Sequence, residues 1–145
     1  MTTPSRLEVY QALMDHLRNL PGIIKVSDRP LHHSKVNRAD MPMVILLPAL
    51  ESHAAQAGGQ TVPVLAPVLV LYVSEGEGVV SATQALNAAL DTLDRAFVGP
   101  PFSDHRQTLG GLVYQVRISG MVETDGGEWN SKAGAVIPLE IHLHP

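Results

Sequence analysis

The chain has 145 residues, the length of one domain, and by the usual size scaling such a chain buries roughly 68% of its unfolded surface, so it is expected to fold as a single unit, 1–145, without staples. It contains no cysteine, which excludes disulfides, iron–sulfur clusters, thiolate zinc and cysteine nucleophiles. The formal net charge is −4 and aromatic residues make up 4% with one Trp, which argues against specific nucleic-acid binding by backbone attraction or base stacking. No basic-then-apolar leader opens the sequence and no apolar run approaches the roughly 18 residues of a membrane span, so a soluble, unexported protein is expected.

The first element is an amphipathic helix announced by Ser5 and Glu8, a capping-box spacing, with Leu7, Tyr10, Leu13, Met14 and Leu17 on one stripe and Pro21-Gly22 as its stop. A short strand over 23–27 follows. Residues 28–40 then form a polar loop with His32, His33, Lys35, Asn37 and Arg38. Pro42 and Pro48 bracket a second strand, 43–47, and 51–60 reads as a mobile connection with little to pack.

The third strand, 62–73, is apolar at odd and even positions alike. Val62, Val64, Ala66, Val68, Val70 and Tyr72 point one way, and Leu65, Leu69, Leu71 and Val73 the other. Two helices can hide one face of a sheet, so the second apolar face predicts a contact surface, with Leu69 and Leu71 as candidate contact residues. Pro63 and Pro67 place both missing N–H groups on one edge, which predicts an edge strand over the first half.

A second helix starts at Ser81 with Gln84 three residues on and carries Ala82, Ala85, Leu86, Ala89, Leu90, Leu93, Ala96 and Phe97 at helical spacing until Gly99-Pro100-Pro101. Leu109-Gly110-Gly111 leads to a strand over 112–119 in which Gln115 and Arg117 face away from Tyr114, Val116 and Ile118. Residues 124–131, with Asp125-Gly126-Gly127, read as the turn of an antiparallel hairpin. The last strand, 133–143, alternates Ala135, Ile137, Leu139, Ile141 and Leu143 against Val136, Pro138, Glu140 and His142, and would reach roughly 36 Å. The expected fold is α+β, a single mainly antiparallel or mixed sheet of about five strands with two α-helices on one face, in the order α-β-β-β-α-β-β.

Read in that order, the whole chain resembles the tail terminator (tail completion, minor tail protein U-like) proteins of long-tailed bacteriophages. The resemblance rests on Leu20-Pro21-Gly22-Ile23 after the opening helix and the Asp40-Met41-Pro42 entry to a buried strand, then the second helix and the Leu109-Gly110-Gly111 approach. The Asp125-Gly126 loop and the alternating strand from Ala133 complete it. It implies a non-enzymatic virion protein, made in the host cytoplasm, that forms a homo-oligomeric ring of six at the head-proximal end of the tail. That ring would cap the tail tube protein, end tail elongation and offer a surface to a neck or head-completion protein. The sequence has no residue diagnostic of the family, so related neck or head–tail connector components stay as an alternative, and a small sheet-dimerising metabolite-binding module would explain the apolar face equally well.

Other signals have plainer readings. Glu140, His142 and His144 share a strand face but lack a fourth ligand, and the solvated end of a strand explains them, so no metal or cofactor is expected. A metal hydrolase built on these histidines remains as a third class. Ser103-Asp104-His105 lacks a nucleophile elbow, so no catalytic residue is assigned. Adjacent His32 and His33 would point apart in extended chain. Arg29, Lys35 and Arg38 form a cationic loop that either stays in water or meets an acidic partner, and Trp129 either folds back on the sheet or anchors a protein contact.

Overall fold

A computed structural model describes residues 3–55, 61–76, 81–129 and 131–144, with side chains for all of these except 54, 55, 61 and 127–129. Helix α1 spans Arg6–Arg18, and its Ser5 cap accepts from the Glu8 amide. Strands β1 (Lys25–Ser27), β2 (Met43–Ala55) and β3 (Thr61–Ser74) follow, then α2 (Ala82–Ala96), which Ser81 and Gln84 close with a reciprocal capping box. Strands β4 (Gln115–Ile118), β5 (Glu123–Trp129) and β6 (Lys132–His142) complete the chain.

The sheet runs β1-β2-β3-β6-β4, with β5 also on β6, and it curls into a half-barrel. Only β1 and β2 are parallel. The outer edge of β6 is shared: β5 pairs Glu123 with Val136 and Asp125 with Gly134, while β4 pairs Ile118 with Leu139 and Gln115 with His142. Pro138 lies between the two partners, and its carbonyl accepts from Ser119 N at 3.0 Å. In an antiparallel strand a residue's N–H and C=O project to the same side, so the proline sits where no ladder donor is required.

The α+β class and the two helices on one face are observed, and the order of elements differs from expectation by one strand. The segment read as a turn, 124–131, lies largely within β5. Strand β2 runs past Pro48 to Ala55, so the first part of the expected 51–60 connection is strand and only 56–60 lies outside the described residues. A bulge makes this possible: Leu47 faces Val68 and Leu50 faces Ala66, so Pro48 and Ala49 together oppose Pro67. The edge expected over the first half of β3 is also corrected. That strand is central, with β2 from Thr61 to Tyr72 and β6 from Val64 onward. The β6 ladder passes from Leu65 to Val68 and stops at Val64, which removes the need for donors at Pro67 and Pro63 on that side.

The core lies between the sheet and both helices. Leu65, Leu69, Leu71 and Val73 of β3 are fully buried against Val9, Leu13 and Leu17 of α1 and Leu86, Ala89 and Leu93 of α2. Leu7, expected on the buried stripe, is 66% exposed because Val9 takes the inward position. The helix C-termini are tied together where His16 Nε2 donates to the Ala96 carbonyl at 2.7 Å and Gln107 Nε2 donates to the same oxygen at 3.0 Å. Gly99 is required at its turn, since an added Cβ would lie 1.7 Å from the Arg106 carbonyl oxygen.

Replacing Leu69 by alanine should cost about 2–5 kcal/mol of unfolding free energy in a urea titration, as for other fully enclosed leucines. The same change at Leu50, 74% exposed on the opposite face, should stay within about 0.5 kcal/mol.

Candidate subunit-contact surface

The register of the strands writes out the face of the sheet that the helices do not touch. Across it run Ser52, Val64, His142 and Gln115; then Leu50, Ala66, Glu140 and Arg117; then Leu47, Val68, Pro138 and Ser119. Further along come Ser27, Ile45, Val70, Val136 and Glu123, and finally Lys25, Met43, Tyr72, Gly134 and Asp125.

The last two rows are partly roofed by the chain itself. Val36 and Met41, from the loop between β1 and β2, are buried on Met43, Ile45 and Tyr72. The loop is fastened at two points. The Tyr72 hydroxyl donates to the Leu31 carbonyl at 2.8 Å, and Lys132 Nζ donates to the carbonyls of His33 and Val36 at 3.1 and 3.0 Å. Burial pushes the Tyr72 phenol above its ordinary pKa, so it remains a donor throughout the neutral range.

The remaining rows are open. Val64, Ala66, Val68 and Pro138 are half-buried, Leu50 is almost bare, and together with Ser52, Ser119 and Glu140 they line a trough of about 560 Å³. A second hollow of about 330 Å³ lies beside the roof, floored by Val70, Tyr72 and Val136 and rimmed by Glu123 and Asp125.

Two ion clusters hold the rims. Glu140 accepts from the Ser119 hydroxyl in a short hydrogen bond, from His142 Nε2 at 2.8 Å, and lies 3.5 Å from Arg117. The Ser119 hydrogen bond, opposed by partial desolvation and assisted by His142 and Arg117, holds its carboxyl below the usual range. Beyond the bulge, Glu51 receives a bidentate grip from Arg6 at the start of α1, with Nη2 at 2.8 Å, and a further contact from His53 at 3.2 Å. The Arg6 hydrogen bonds pull the Glu51 carboxyl down to about 2 from 4.5. Both groups are exposed to solvent, so salt screens the pair and its contribution to stability is small.

The candidate contact residues fall in different places. Leu69 and Leu71 are corrected: both are completely enclosed under the helices and present nothing to a partner. Arg29 is exposed just past β1. Arg38 begins a turn whose last residue, Asp40, lies 3.6 Å from Lys25. Lys35 is exposed on the roof loop near Lys132 rather than at the sheet edge. The side chain of Trp129 lies outside the described residues. The sequence did not reveal Leu50, because the second strand was expected to end before Pro48, nor Glu123 and Asp125 as strand residues, because no strand was expected between 119 and 133 and 124–131 read as a turn.

The bland readings of the histidines also receive geometry. His144 Nε2 donates to the Gly111 carbonyl at 3.1 Å, away from the Glu140 and His142 pair, and among the described residues no three potential ligands converge. Ser103 is buried with its hydroxyl 3.0 Å from the Pro100 carbonyl and 2.9 Å from that of Arg106, which fastens a turn. His32 and His33 do not point apart: a short 3₁₀ turn brings their rings to 4.0 Å between centroids. His33 has its pKa lowered, chiefly by desolvation and then by His32 and Lys132, with Asp125 opposing.

Among the described residues no helix is long and apolar enough to cross a membrane. No known family model matches the chain, and no curated protein is detectably similar to it in sequence.

The Glu51 carboxyl should titrate by NMR near pH 2 and move toward 4.5 when Arg6 is replaced by glutamine. A depressed folded-state pKa stabilises the fold above the unfolded value, so the advantage of the native chain over the variant should fade as the pH falls from 4.5 to 2.

Proposed function

We propose that this chain is a non-enzymatic, ring-forming structural subunit of the tail-terminator kind, which closes the head-proximal end of a long phage tail and offers a joining surface to the neck. One observation carries the assembly half of this reading. The strip of Val64, Ala66, Val68, Val136 and Pro138 lies on the face of the sheet opposite α1 and α2, the α-helices among the described residues. What distinguishes this strip from singly exposed residues such as Phe102 and Met121 is its continuity across neighbouring strands, and a continuous apolar strip is the usual form of a contact surface. The phage half rests on the ordered resemblance of the sequence, from the Leu20-Pro21-Gly22 helix stop to the alternating last strand. Its partners would be further copies of the chain, the tube protein and a neck or head-completion protein, and the place of action the virion.

The dimensions of the trough support a second reading. A hollow of about 560 Å³ falls in the range of small-molecule sites, so two chains meeting face to face could hold a metabolite between them. A fixed dimer carrying a small molecule in native mass spectrometry would favour that reading, and higher closed oligomers the ring.

The decisive experiment is assembly of tails with and without the chain, viewed by electron microscopy. Tails lacking it should fail to stop at uniform length or fail to join heads, and normal tails in its absence would overturn the proposal. Leu50→Asp should leave the melting temperature within a few degrees, because Leu50 is 74% exposed on the trough, yet abolish function in the same assay.

A further inference from the structure

The geometry points to a specific head-to-tail contact, in which the outer edge of β5 in one copy continues the sheet against the outer edge of β1 in the next. This inference rests on the ring reading and names its interface.

The long last strand cannot supply the contact, because β3 covers one of its edges and β4 and β5 share the other. Among the described residues, no strand pairs with the outer edges of β1 and β5, at opposite ends of the sheet. Their directions are compatible. Strand β1 runs with β2, against β3, with β6 and therefore against β5, so a β5 laid beside β1 would form an antiparallel ladder, the stronger of the two pairings. An edge with unpaired backbone groups is a template for such addition.

The charges at the two ends are complementary, and register puts them on the same face. One row across the open face begins at Lys25 and ends at Asp125; the adjacent row begins at Ser27 and ends at Glu123. Residues 25–29 hold Lys25 and the exposed Arg29 against one acid, Asp28, while the stretch 119–131 holds Glu123, Asp125 and Glu128 and no Lys or Arg. Neither Arg29 nor Glu123 has a side-chain partner among the described residues, and Lys25 holds only the long, exposed contact to Asp40. Stacking one copy's acidic end on the next copy's basic end therefore sets Lys25 and Arg29 beside Glu123 and Asp125. Asp28 and Asp40 flank the two cations, but the charges directly joined are opposite, whereas meeting β1 to β1 or β5 to β5 would join like ones. The contact is heterologous, the kind that closes rings when the rotation permits. It also brings the hollow floored by Val70 and Val136 to the seam, where the aliphatic stem of Arg29 from the neighbour has apolar surface to lie on.

The test uses two charge-reversed variants, Lys25→Glu/Arg29→Glu and Glu123→Lys/Asp125→Lys, each checked for an unchanged melting curve. Alone, each now has two ends of one sign and should lose self-association by about tenfold or more. Mixed in equal amounts they should recover it, as alternating copies, and added salt should weaken the native assembly. Because the chain has no cysteine, Ser27→Cys/Glu123→Cys offers a second readout at concentrations where association is weak: oxidation should give a ladder of linked copies, and each single variant only dimers. Unimpaired association of the reversed variants, a mixture that stays dispersed, or the absence of a ladder would each overturn the contact. If tails still require the chain while these variants behave as the native protein, the interface is wrong and the tail role stands; if the ladder forms but tails are normal without the chain, the reverse holds.

Discussion

Everything in this fold is referred to β3. It lies at the middle of the sheet between β2 and β6 with apolar residues on both faces, and the two faces meet different fates. Its inward leucines at 65, 69 and 71 are fully enclosed because α1 and α2 lie over them. Its outward valines have no helix, and the side-chain period of two makes these sets inseparable: a one-residue slip of the strand would put leucines into the trough and valines under the helices. The register with β2 and β6 is therefore fixed from the helix side, and the composition of the open face follows as a consequence.

The roof loop shows how far one chain goes toward covering that second face. Val36 and Met41 reach Met43, Ile45 and Tyr72, and the tether is polar rather than apolar, made by the Tyr72 hydroxyl and the Lys132 ammonium on backbone carbonyls of the loop. A hydrogen bond from a charged donor is worth more than a neutral one, so Lys132 holds the loop with two of the stronger links available to an irregular segment. Cover stops there. Leu50, Val64, Ala66 and Val68 lie beyond the loop's reach, at the end of the sheet that the bulge at Pro48 and Ala49 turns.

What was legible in the sequence was whatever depends on local pattern. Ser5 with Glu8 and Ser81 with Gln84 fixed both helix starts, and the alternation from Ala135 to Leu143 gave the faces of β6 without error, because caps and periods are set by neighbours a few residues away. Strand β5 was illegible for the opposite reason. Asp125-Gly126-Gly127 has the chemistry of a turn, yet Asp125 pairs with Gly134 of β6 and the glycines fall in the irregularity before Trp129 rejoins the ladder. The continuation of β2 through Ser52 and His53 was hidden by Pro48, whose disruption a bulge absorbs. As for the contact residues, alternation alone cannot say which of two apolar faces the helices will choose. That ambiguity put Leu69 and Leu71 on the wrong side.

The distribution of charge and grease decides between ways of covering the open face. A face-to-face pair related by a two-fold axis offers the Glu140 rim only a surface of the same kind, and its carboxylate, already partnered by Ser119 and Arg117, requires no cation from a second copy. A head-to-tail arrangement sets the acid-rich β5 end against the Lys25 and Arg29 end. In a curled sheet it also turns the trough toward whatever the ring encloses or rests upon. The bare valines would then serve contact with a different molecule, and the edges contact with the next copy. Under the proposed ring, two surfaces with two tasks would account for one being apolar and shallow while the other is charged and follows the backbone. A short β1 bearing a lysine is also how a sheet discourages indiscriminate pairing, leaving the edge selective for a partner strand that carries carboxylates.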